Sequence, residues 1–157
     1  MIAGSRTSFT AALEAQINQL PPAWRERVTC IHNFDEAIKP SLFAACDIFT
    51  YPSAYESFGL TLLEAWAVAR PVVACGDGAP GSIVTHGQDG LLVKYHDPAD
   101  LAQTLRTLLA SPDRRAQMGQ AGQRKVLAEY NWDVVADRFR AMYAHTSCGA
   151  WRGGSSL

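Results

Sequence analysis

A chain of 157 residues, 48% hydrophobic and 18% charged, reads as one domain with enough apolar side chains to bury a core without staples. Its formal net charge of −1 leaves no electrostatic basis for gripping nucleic acid or an anionic membrane. No run reaches the ~18 apolar residues of a spanning helix, and the N-terminus lacks a charged-then-apolar signal pattern, so the sequence reads as soluble.

Taken in chain order, short apolar runs alternate with helical stretches. Ile2-Ala3-Gly4 reads as a strand end with Met1 directly against it, the mark of a fragment or excised domain lacking its first strand and helix. Thr7 or Ser8 can cap a helix to about Leu20, with Leu13, Ile17 and Leu20 as its stripe, stopped by Pro21-Pro22. Val28–Phe34 reads as a strand, Pro40 suits the first turn of a helix to Cys46, and Ile48–Tyr51 is the next strand. A helix then runs from Phe58 or Gly59 to about Val68, followed by strand Val72–Cys75, a Gly-rich loop Gly76–Gly81 and a short helix near Ser82–His86. Leu91–Lys94 is the last strand, and helices follow near Pro98–Ala110, Pro112–Glu129 and Trp132–His145. The alternation predicts an α/β, Rossmann-like, mostly parallel sheet with helices on both faces. The domain is expected over residues 1–146, and the Gly- and Ser-rich segment 147–157, whose one large apolar residue is Trp151, as a disordered tail.

Cys30, Cys46, Cys75 and Cys148 have no Cys-x-x-Cys spacing, and the first three lie in or beside apolar runs. They read as small hydrophobes of a reducing, cytoplasmic compartment. His145 and Cys148 share a helical spacing, but two ligands do not make a metal site, so neither metal nor cofactor is expected.

The chemistry concentrates in Tyr51–Glu64, where Glu56 and Glu64 stand eight positions apart across a strand-to-helix junction. Gly59 lets the backbone approach a ligand closely. The first amides of the following helix have no acceptor within it and carry the positive end of its dipole, so an anion is favoured there. Leu60 and Thr61 can offer backbone N–H groups to phosphate. Glu64 lies about 7 Å further along the axis, where its carboxylate can accept from ribose hydroxyls. Glutamates on a helix flank are also commonly plain solvated residues. Ligands of open parallel sheets bind at strand ends, which singles out the loops Asn33–Lys39, Pro52–Phe58 and Gly76–Gly81.

The stretch from Tyr51 through Glu64 to Pro71-Val72-Val73-Ala74, with Pro52-Ser53, Glu56-Ser57-Phe58-Gly59-Leu60 and a second Glu eight positions on, resembles the signature of the family-four retaining glycosyltransferases. Leu42–Phe49, Asp89–Val93, Met118-Gly119 and Tyr130-Asn131-Trp132 follow in the order and spacing of that family. The resemblance implies the C-terminal, nucleotide-sugar-binding half of a GT-B enzyme that transfers a hexosyl or related group with retention and without an obligatory metal. It assigns Glu56 to hydroxyls of the transferred sugar, the Phe58-Gly59-Leu60-Thr61 backbone to sugar and diphosphate, and Glu64 to ribose. Ser57 adds a donor or serves as a turn residue, and Tyr55 and Phe58 are placed to pack. Asn33 and Phe34 fall at the nucleobase loop, again an even choice with a plain connection.

The implied partners are a nucleotide diphosphate sugar and an N-terminal acceptor domain outside this chain, with room for membrane association of the full-length enzyme. The sequence departs from the family at Asn33 and Ala69, which replace common glycines, at Ala79 within the Gly-rich loop, and at Ser82, where an acidic residue is usual. The family's phosphate-neutralising Arg and Lys lie upstream of this chain; Arg6, Lys39 and Arg70 cannot take that role from spacing and read as surface residues. These departures keep open a non-catalytic sugar-nucleotide module. A dinucleotide-dependent oxidoreductase is disfavoured, since no Gly-x-Gly-x-x-Gly opens a helix after a first strand. The base, sugar and acceptor are not legible.

Overall fold

The computed structural model describes residues 1–147; Cys148 and all but the first residue of the expected tail lie outside the described residues. Among the described residues, five strands form two parallel sheets: β1 (Ile2–Gly4) pairs with β2 (Cys30–His32), while β3 (Phe49–Tyr51), β4 (Val72–Cys75) and β5 (Gly90–Val93) make a second sheet with β4 at its centre. The α/β class and the parallel pairing are as expected; within that fold no ladder joins β1 or β2 to β3. Helices α1 (Thr10–Asn18), α2 (Pro22–Arg25), α3 (Lys39–Ala44), α4 (Leu60–Ala67), α5 (Ala79–Ile83), α6 (Pro98–Leu109), α7 (Pro112–Lys125) and α8 (Trp132–Ser147) connect or follow the strands.

The core sits around β4, where all four residues are buried. Strand alternation sends Val72 and Ala74 to one face, against Leu62, Leu63 and Trp66 of α4 and Ile83 of α5. It sends Val73 to the other face, with Leu91 and Val93 of β5, Leu108 of α6 and Met118 of α7. A strand buried on both faces explains the continuous apolar run Val72–Cys75. On the first face, Trp66 is fully buried and its indole N–H donates to the Asp89 carbonyl at 2.8 Å. Gly122 of α7 lies flat against that ring: an added Cβ would come within 2.0 Å of it.

Most boundaries shift by a residue or two from the sequence reading, and four of the differences have a local cause. The second strand stops at His32 because Asn33 turns into the left-handed region at φ 50°. Phe9, and neither Thr7 nor Ser8, stands at the start of α1; Thr7 instead accepts the Phe9 N–H at 3.2 Å and shapes the entry turn. The helix expected over Ser82–His86 begins at Ala79, since Pro80 fits a first helical turn and Val84 is already extended. The long helix expected to Glu129 ends as an α-helix at Lys125 and widens into a π-helical turn, Val126–Tyr130. The stripe Leu13, Ile17 and Leu20 is only half-buried or exposed, which leaves α1 loosely seated.

Candidate functional site

Gly59 caps α4 at φ 89°, a conformation glycine adopts without a Cβ clash, and this turn sets the helix N-terminus above the end of β3. Helix geometry leaves the first amides, including those of Leu60 and Thr61, without an acceptor inside α4. Leu60 is exposed and Thr61 half-buried. The Thr61 hydroxyl and Glu64 Oε2, one turn apart on the helix, are both buried atoms without a hydrogen-bond partner among the described residues. Buried polar atoms are normally satisfied, and these two oxygens on one helix flank keep hydrogen-bonding capacity that no described residue takes up.

Glu64 is tethered through its other oxygen: Oε1 lies 2.8 Å from Lys39 Nζ, which also reaches Glu36 at 3.4 Å. The Glu64 hydrogen bond, then its charge, raises the Lys39 amine above its ordinary pKa despite an opposing desolvation cost. Lys39 is thus not the free surface residue that spacing suggests; it starts α3 and bridges to α4. Arg70 likewise turns inward and donates to the Ala44 carbonyl at 2.6 Å, whereas Arg6 stays exposed beside Glu14 at 3.6 Å.

Glu56 precedes the helix and is held differently. The Tyr51 hydroxyl donates to Glu56 Oε2 at 2.6 Å, and the Phe58 N–H donates to Oε1 at 3.3 Å. Ser57 Oγ stands 3.5 Å from the same Oε1. The Tyr51 bond foremost, then the Phe58 amide, holds the Glu56 carboxyl below its ordinary pKa; the same bond, then burial, pushes the Tyr51 phenol up. Glu56 is therefore a fixed anion in the β3–α4 loop. The Phe58 ring packs against Tyr130 with centroids 6.1 Å apart, and Tyr55 meets Tyr95 at 5.8 Å.

A cavity of about 690 Å³ opens beside α4, lined by Phe34, Glu36, Lys39, Thr50 and Thr61 together with the β1 strand and its ends. Its size suits a nucleotide-scale ligand. A groove of about 250 Å³ adjoins it through Lys39 and holds Glu64. Phe34 thus shares a cavity with Thr61, while Asn33 spends its N–H on the Gly4 carbonyl at 3.1 Å and its Oδ1 on the Arg6 N–H at 2.9 Å. The Gly76–Gly81 loop closes on Pro52–Phe58 through Gly78, whose φ of 82° and approach to the Ala54 carbonyl, 2.3 Å from an added Cβ, exclude a side chain. The sequence reading did not foresee the contacts of Lys39 and Tyr51 with the two glutamates. Lys39 reaches Glu64 between separate helices, for which spacing carries no signal, whereas Tyr51 and Glu56 are five residues apart across one strand end and its loop.

The family profile of "Glycosyl transferases group 1" matches residues 2–125. The chain is 38% identical over 114 residues to the D-inositol 3-phosphate glycosyltransferase of Corynebacterium efficiens, covering 73% of this chain and 27% of that protein. It is 35% identical over 112 residues to the alpha-maltose-1-phosphate synthase of Mycolicibacterium smegmatis, covering 68% and 29%. Among solved structures, sucrose-phosphate synthase from Thermosynechococcus elongatus superposes with a TM-score of 0.77 at 29% identity, over 94% of this chain and 38% of that one. HepE of Anabaena in complex with UDP superposes with a TM-score of 0.77 at 27% identity, over 92% and 40%. The chain spans between about a quarter and two fifths of the length of these relatives. Among the described residues, no helix is long and apolar enough to cross a membrane.

Proposed function

The chain belongs to the glycosyl transferases group 1 family and has the α/β fold of its GT-B members, and we propose that it is the donor-binding part of a retaining, family-four-like enzyme. The donor is a nucleotide diphosphate sugar. The observation that carries this reading is the pair of buried, unpartnered atoms Thr61 Oγ1 and Glu64 Oε2 on the first turns of α4, beside the nucleotide-sized cavity. A ribose diol supplies what both atoms lack, since hydroxyls donate and accept. UDP bound to HepE, a relative of the same fold, supports the ligand class.

On this reading the diphosphate lies at the α4 N-terminus, with the Leu60 and Thr61 amides and the helix dipole facing it. Breaking the anomeric bond places negative charge on the departing diphosphate, and preorganised N–H donors stabilise that charge. A carboxylate at the same point would oppose it. Glu56, a fixed anion outside the helix, instead accepts from hydroxyls of the transferred sugar and orients it, with Ser57 and the Phe58-Gly59 backbone alongside. Phe34 faces the nucleobase from the cavity wall, and the Asn33 carbonyl stands beside it. Transfer itself needs an acceptor-binding domain, so this chain alone binds donor without turning it over in an acceptor-dependent way.

The division of labour is tested by titrating Glu56→Ala and the unaltered protein with UDP and with UDP-glucose. Glu56→Ala is expected to lose affinity for UDP-glucose and to keep its affinity for UDP. Equal loss for both ligands would reduce Glu56 to a cap of its own loop.

A further inference from the structure

Lys39 has no assigned part in donor binding, yet it holds one of the two carboxylate oxygens of Glu64. Its amine sits 2.8 Å from Glu64 Oε1 and 3.4 Å from Glu36 Oε2, at the start of α3. A free glutamate at this position samples several rotamers and presents either oxygen. Tethered at Oε1, it presents Oε2 on the same helix flank as the Thr61 hydroxyl, and neither atom has a hydrogen-bond partner among the described residues. A strong, charge-assisted hydrogen bond is well suited to fix one carboxylate oxygen while leaving the second free. The proximity is a tertiary one, made by packing α3 against α4 through Phe43, Leu63 and their neighbours.

We propose that Lys39 is a positioning residue for ribose: by holding Glu64 Oε1 it turns Oε2 toward a vicinal diol shared with Thr61 Oγ1, and so sets discrimination between ribose and sugars lacking those hydroxyls. This rests on the reading of Glu64 as the ribose acceptor. On this reading Lys39, although it lines the cavity, acts on ribose through Glu64. Its effect passes through one carboxylate, and its signature is therefore largest for ligands that have the diol.

The test titrates the chain with UDP, GDP and ADP and with the 2′,3′-dideoxy form of each, in the unaltered protein, Lys39→Met, Lys39→Arg and Glu64→Gln. Lys39→Met keeps the stem and removes the charge. The expected result is a preference for the ribose form of roughly tenfold or more in the unaltered protein, reduced several-fold in Lys39→Met, with ribose affinity falling several-fold more than dideoxy affinity and the preference largely restored in Lys39→Arg. Retained dideoxy binding also shows that the variant is folded. A Lys39→Met protein that keeps the full ribose preference, or that loses ribose and dideoxy affinity in equal proportion, overturns the proposal while leaving the Glu64 reading intact. If Glu64→Gln itself retains the preference, or if none of the three ribonucleotides binds, the donor-site reading fails first and takes the proposal with it.

Discussion

Asp89 and Glu64 are both carboxylates paired with a lysine, and they differ in what is left over. Asp89 is nearly buried and both its oxygens are satisfied: Oδ1 accepts the Thr85 N–H at 2.8 Å and Oδ2 faces Lys125 Nζ at 2.9 Å. Lys125 in turn donates to the Ile83 carbonyl and to Thr85 Oγ1, and lies 5.3 Å from the Trp66 ring centroid. That cluster ties the α7 end to α4 and β5 and has no capacity remaining. Glu64 has one oxygen on Lys39 and one with nothing. A fully satisfied network rigidifies the fold around it, and on the proposed reading the second oxygen of Glu64 is the one that meets the ligand.

The same division runs through the sheets. In β4 every residue is buried between two layers, while β1 is largely exposed and β2 only half-buried. The well-packed half supplies rigid support for α4, and the cavity lies toward the thinner half, against β1. Sites built on rigid elements keep their geometry without needing every neighbour to be buried.

The largest effect that separates the two lysine pairs is on stability. Asp89→Asn leaves a mostly buried Lys125 charge short of its counter-ion and is expected to cost about 3–5 kcal/mol in urea unfolding, by the behaviour of buried pairs that lose one member. Lys39→Met breaks a partly exposed pair, for which about 0–1 kcal/mol is expected. Comparable losses for both variants would erase the distinction on which the comparison depends.

A smaller effect concerns the support beneath the site. Ala69 follows α4 and its C-cap residue at φ 56°, a left-handed conformation that costs a residue with a Cβ about 1 kcal/mol. Ala69→Gly relieves that strain but also frees the unfolded chain, so a net stabilisation of about 0.5 kcal/mol is expected in the urea midpoint. Nucleotide affinity should not change. A destabilised Ala69→Gly would mean that the Ala69 methyl makes contacts worth more than the strain.

The smallest effect is a pH dependence. Raised above its unfolded value, the Lys39 amine contributes stability that is complete below the ordinary lysine range and is lost as pH rises through its folded value. The modest stability gap between the unaltered protein and Lys39→Met should therefore hold steady through neutral pH and close above about pH 10. A gap that closes near neutrality would point to a group other than Lys39.

Much of this was readable along the chain because it is local. The apolar run Val72–Cys75, the helix opened by Gly59 and the prolines at the starts of α3, α6 and α7 each announce themselves within a few residues. Departures from the family's glycines proved informative in a physical sense: Asn33 and Ala69 both hold the positive φ that favours glycine. The lysine pairs were not readable: Lys39 with Glu64 and Lys125 with Asp89 join separate elements, and only packing brings them together. Tyr51 and Glu56 are five residues apart, yet nothing in their spacing announces the hydrogen bond between them. Nor could alternation show that β1 and β2 pair apart from the other three strands, since each strand looks the same in sequence whichever neighbour it has.

The central claim is that nucleotide binds at the α4 N-terminus with Glu64 facing its ribose. The most direct measurement is a titration of isotopically labelled protein with UDP, following backbone amide shifts in the unaltered protein and in Glu64→Gln. The account predicts shifts centred on residues 57 to 64, with affinity weakened by about 1–3 kcal/mol in Glu64→Gln. Shifts confined to the separate cleft of about 630 Å³ between Gln88 and the α6–α7 turn, with equal affinity for both proteins, would contradict it.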